Sequence, residues 1–165
     1  MKNLIKFFAI TIVMFSFAAS TFAQGVSATA NASATIITPL AITKTADLSF
    51  GNISVGALSG GTIIISSANA RTATGTCSFQ VTPASTVATF DLTGASGANM
   101  AITLPVSSTI ANGGNTMTLN TFTSDAPATI TGGAVTFHVG ATLNVSAGQV
   151  AGPYTGTFDV TANYN

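Results

Sequence analysis

The sequence predicts an all-β chain, an antiparallel sandwich of about eight to ten short strands. Apolar and polar residues alternate with period two over several stretches, and no stretch shows the 3.6-residue spacing of an amphipathic helix. Gly and Pro punctuate these runs at short intervals, from Gly51 and Gly56 through Gly113-Gly114 to Gly152-Pro153. Such frequent turn signals are what a sandwich or barrel of short strands requires.

The first residues are set apart. Lys2 and Lys6 precede an uncharged run from Phe7 to Ala19, and Thr21-Phe22-Ala23 follows it. A positive end, a short apolar core and small residues before a cut define a secretory signal. Residues 1–23 are therefore expected to be removed after Ala23, leaving residues 24–165 as a single domain outside the cytoplasm, in periplasm, surface or medium. The apolar run is too short to serve comfortably as a membrane span, and none is expected after cleavage.

Beyond that point only Lys44 and Arg71 are basic, against Asp47, Asp91, Asp125 and Asp159, and there is no Glu. Nucleic acid is excluded as a partner, because phosphate recognition needs clustered Lys and Arg. Ser, Thr, Asn and Gly supply the polar surface, which offers little charge repulsion between copies.

The elements follow in order. Val26, Ala28, Ala30, Ala32, Ala34 and Ile36 share one face, with Ser27, Thr29, Asn31, Ser33 and Thr35 on the other. Residues 24–38 thus read as an N-terminal strand, with Pro39 just beyond it. The apolar run Ile63-Ile64-Ile65 suits a strand central in a sheet and covered on both faces. Cys77, the one cysteine, shares its alternating face with Phe79 and Val81 and reads as a small buried hydrophobe. A four-residue phrase recurs as Phe79-Gln80-Val81-Thr82, Phe90-Asp91-Leu92-Thr93, Phe137-His138-Val139-Gly140 and Phe158-Asp159-Val160-Thr161. In each, the aromatic and the aliphatic side chain are expected to point into a common core. From Gly152 to the end, Tyr154, Phe158, Val160, Ala162 and Tyr164 fall on one face of a last strand.

Reactive chemistry finds no support. His138 is the one histidine and sits on the outward side of its strand, with no second ligand or orienting partner implied. The four aspartates lie on outward strand positions or beside turns and read as solvated. Catalytic, cofactor and metal sites are each expected to be absent. An ice-binding surface would require Thr at a regular period along the chain, and the sequence has none.

Pro39-Leu40-Ala41-Ile42, Asp47-Leu48-Ser49-Phe50-Gly51, Gly60-Gly61-Thr62-Ile63, Gly140-Ala141-Thr142-Leu143 and the closing segment Gly152 to Tyr164 carry a resemblance. In these stretches the chain resembles the secreted bacterial domain of unknown function 4402 family, related to spore coat protein U and fimbrial subunits. The resemblance implies an immunoglobulin-like, pilin-like sandwich. It implies chaperone pairing through the closing strand, with Gly152, Tyr154, Phe158, Val160 and Tyr164 as its residues. Residues 26–36 read first as a strand paired within their own sandwich, and the resemblance adds a donor strand for a neighbour. Donor strands of pilins generally insert large hydrophobic side chains, and this one offers mostly alanine. The function expected is an exported, non-enzymatic structural or adhesive surface protein, its partners being itself or other surface proteins through β-strand edges. The alternative is a secreted module that binds a glycan or small ligand.

Overall fold

A computed structural model describes residues 25–165, so the signal segment and its cut after Ala23 lie outside the described residues. The chain divides into two units between Thr35 and Ile36. Of the first, residues 25–35 have no regular secondary structure, and all are exposed. The strand expected over 24–38 is therefore not formed, and its alternating side chains lie open, Val26 and Ile36 fully so. Alanine gives such a strand little apolar area to bury, about 25 cal/mol per Å², against the entropy of ordering it.

The second unit is all-β and antiparallel, with eleven strands: β1 Ala41–Ala46, β2 Ile53–Ser54, β3 Gly61–Ile65, β4 Arg71–Gly75, β5 Ser78–Phe79, β6 Ala88–Thr93, β7 Met100–Thr103, β8 Ser107–Asn112, β9 Asn115–Ser124, β10 Ala134–Val145 and β11 Thr161–Tyr164. Seven of them make one sheet, and β2 pairs with β5 and β7 with β11 in two small ones. β8 and β9 form a hairpin closed by Gly113-Gly114, where Gly113 takes the positive φ of 60° that a two-residue loop needs.

The twelve-residue β10 organises the sheet. Its first half pairs with β6 over Ala134–Val139, and its second half pairs with β3 on one edge and β9 on the other. Gly140 marks the change of partner. A side chain there would run into the backbone of Ile65 and Ser66.

Two apolar clusters correspond to the two halves. One gathers Phe50, Ile63, Ile65, Cys77, Val87, Met117, Leu119, Leu143 and Val145; the other gathers Phe90, Leu92, Met100, Ile130, Phe137 and Val139. Leu48 and Phe122 pack against both. The alternation explains the assignment: Phe137 and Val139 are fully buried while His138 between them is not, and Phe90 and Leu92 flank an exposed Asp91. Phe90 stacks on Phe137 with ring centroids 5.5 Å apart.

Three expectations are corrected here. Phe79 and Val81 lie at the surface, Val81 almost wholly exposed, so this copy of the phrase does not enter the core that holds Cys77. Its Phe79 ring instead receives the Arg71 guanidinium 4.0 Å from its centroid, and Arg71 also donates to the carbonyls of Phe50 and Gln80. Ile64 is half-buried, so Ile63-Ile64-Ile65 is covered fully on one face alone. Asp125 is not simply solvated: it accepts from the backbone amide of His138 and lies 2.8 Å from that ring's Nδ1.

Candidate functional site

Sequence reasoning missed a groove of about 900 Å³ in the second unit. Its floor is the inner face of the large sheet, with Ile110, Met117, Leu119, Leu143 and Val145. One wall is residues 48–55 and the other residues 149–158. No period along the chain could have revealed it, because the floor and walls come from five separated stretches.

Both walls are irregular: in the first only Ile53–Ser54 is strand and Gly51 takes φ 67°, and in the second only Thr155 forms a β-bridge. Ser49 exchanges backbone bonds with Thr86, Gln80 donates to the carbonyl of Asn52, and β2 pairs with β5, so the bonds of the first wall run away from the second. Across the groove, Thr155 exchanges both backbone bonds with Ala111 of β8, and the Ser108 hydroxyl donates to the carbonyl of Thr157. Among the described residues no backbone bond joins the two walls. The groove thus lies between two irregular segments above an apolar floor, and at one end Gly148 donates its backbone amide to the carbonyl of Gly56, joining the chain beside the two walls.

Several polar groups at the rim are already engaged. Gln149 Nε2 donates to the Thr116 carbonyl and to the Tyr154 hydroxyl, which in turn donates to the carbonyl of Val150. Ser54 and Ser78 share a hydroxyl hydrogen bond of 2.7 Å. The side chains of Asn52, Gln80, Thr155 and Thr157 also line the groove.

The structure separates the residues of the closing segment. Tyr154 packs against the cluster of Leu143, at the groove, while Phe158, Val160, Ala162 and Tyr164 pack against the cluster of Phe137. All five are half-buried while most of the residues between them are exposed, as one shared face requires. Only Thr161–Tyr164 pairs as a strand, however. Gly152, φ 142°, sits against the Asn112 side chain. The Tyr164 hydroxyl donates to the Thr38 carbonyl and accepts from the Ala95 amide, both at 2.6 Å. That bond ties the closing strand to the start of the second unit. Cys77 is buried in the first cluster, and burial raises the pKa of its thiol.

The strands define an antiparallel all-β module with a groove beside its large sheet. Residues 40–164 match the family model described as a domain of unknown function, DUF4402, and the chain belongs to that family. No curated protein and no solved structure matches it.

Proposed function

We propose that this is an exported structural or adhesive surface protein, without enzymatic activity, that joins to further copies through β-edge contacts. The observation that carries the reading is the groove beside the large sheet. An extended segment laid there would meet backbone donors and acceptors on both sides and an apolar floor beneath. Residues Val26, Ala28, Ala30, Ala32, Ala34 and Ile36 of another copy have the alternation that such a place accepts. Eleven extended residues reach about 36 Å at roughly 3.3 Å each, longer than a typical strand. The lysines and apolar run of residues 1–19 support export. The glycan-binding alternative draws less support, since Tyr154 is the one tyrosine of the lining and its hydroxyl is spent on internal bonds with Gln149 and Val150.

Size-exclusion chromatography and electron microscopy of the exported protein, with and without residues 24–36, test the reading. Polymers or oligomers are expected from the longer form and monomers from the shorter. Monomers from both forms would remove assembly through this segment.

A further inference from the structure

The outward face of the large sheet carries an array that no single strand displays. Register aligns Thr109 of β8, Thr118 of β9, Asn144 of β10, Thr62 of β3 and Thr74 of β4 in one row. The next row runs Ser107, Asn120, Thr142, Ile64 and Thr72 across the same strands. Paired residues of antiparallel strands point to one side, and the other side here is the core of Ile63, Ile65, Met117, Leu119 and Leu143. The two rows therefore form one face, exposed or half-exposed throughout.

None of the ten positions carries a charge. Lys44, Asp47, Asp91 and the Asp125–His138 pair belong to β1, β6, the first half of β10 and the turns beside them, and Arg71 turns toward the carbonyls of Phe50 and Gln80. Six of the ten positions are Thr, whose β-branched side chain is stiff and holds a methyl and a hydroxyl at fixed places. Thr62 and Thr74 fix one another further through a hydroxyl pair at 2.7 Å. The hydroxyl both donates and accepts, as a lattice water does.

The partner follows from these features. A nucleic acid or ionic surface would need charge, and a flat polysaccharide would need aromatic platforms, which the face lacks. Five strands about 4.8 Å apart and two rows about 6.7 Å apart cover on the order of 200 Å², far below the roughly 800 Å² per partner of a stable protein contact. An uncharged grid dominated by Thr hydroxyls and methyls, at spacings usual for a sheet, comes near the repeats by which oxygens recur on faces of hexagonal ice. We propose that this face binds ice, its ligand being the ordered water of a growing crystal. The Thr period absent along the chain is built across strands. Because the sheet twists and the array is two rows deep, the effect falls on recrystallisation rather than on the freezing point.

The test is an ice-recrystallisation assay on protein expressed from the full-length sequence, with albumin at equal mass concentration as the control. The parent is expected to hold ice grains small, and Thr118→Lys, at the middle of the array, to lose that effect. Thr43→Lys, an exposed β1 position in register with Asp91 outside the array, should keep it. Should Thr118→Lys unfold on heating earlier than the parent, Thr74→Lys at the array's edge takes its place and is expected to lose the effect too. Grain growth in the parent equal to that in albumin overturns the proposal, as does equal activity of the array and β1 variants.

Discussion

Replacing Phe137 by Ala and, separately, Phe79 by Ala sets two copies of one sequence phrase against each other. Phe137 is completely buried and stacked on Phe90, so its truncation opens a cavity in the cluster of Leu92, Met100 and Val139. Such a change costs about 3–5 kcal/mol. Phe79 keeps 37% of its surface exposed, and what it loses is the Arg71 contact and modest burial. An exposed cation–π contact contributes about 0.5–1 kcal/mol, and the whole change should cost about 1 kcal/mol. Urea denaturation followed by fluorescence or circular dichroism measures both. With a slope of about 2 kcal/mol per molar, the midpoint falls by about 2 M for Phe137→Ala and about 0.5 M for Phe79→Ala. Equal shifts would refute the division of these phrases into core and surface.

Tyr164→Phe removes the hydroxyl that bridges Thr38 and Ala95 and leaves a half-buried amide without its partner; a loss of about 1–3 kcal/mol is expected, with faster hydrogen exchange at Ala95. Gly140→Ala places a methyl against the Ile65 backbone at the point where β10 changes partner, so little soluble protein is expected, whereas Gly114→Ala, with open space around it, should express as the parent does. Partial burial pushes the Asp125 pKa up, but the His138 backbone amide, ring and charge together outweigh it and leave it below the usual carboxylate value. A carboxyl depressed on folding contributes stability that is complete above its unfolded pKa, near 3.9, and is lost as pH falls through the folded value. Acid titrations of parent and Asp125→Asn should therefore differ in slope below about pH 4 and run parallel above it.

The fold was legible where burial has a local signature. Phe90-Asp91-Leu92 and Phe137-His138-Val139 alternate because one face of each strand meets the core, and both entered it as the pattern requires. Phe79-Gln80-Val81 has the same pattern and failed, since β5 is two residues long and belongs to a small separate pair rather than the large sheet. Alternation reports that a segment is extended. It does not report which sheet the segment joins. Residues 26–36 show the same gap: their alternation is as regular as any in the chain, yet alanine carries too little area to hold them against a sheet by itself. The groove and the Thr array were invisible for a further reason. Both depend on register between strands far apart in sequence, and a shift of one residue in β9 or β3 would turn Thr118 or Thr62 inward and present Leu or Ile in its place.

The alanines of the N-terminal segment take on a different meaning once the groove is known. Read from sequence, they argued against insertion beside a neighbour, because a strand that completes a core is expected to carry large side chains. The floor of this groove is already well covered: Met117, Leu119, Leu143 and Val145 keep only 7%, 3%, 1% and 5% of their surface exposed. Leucine or phenylalanine knobs would hold the incoming backbone away from the walls and cost it the edge bonds that supply the affinity, whereas alanine lets the backbone settle between them. Enlarging Ala30 to Leu should thus weaken the assembly proposed for residues 26–36, although it adds apolar area, and sedimentation velocity of the two forms would read the change. Stronger assembly by the leucine variant would mean that side chains, rather than backbone edges, hold the copies together.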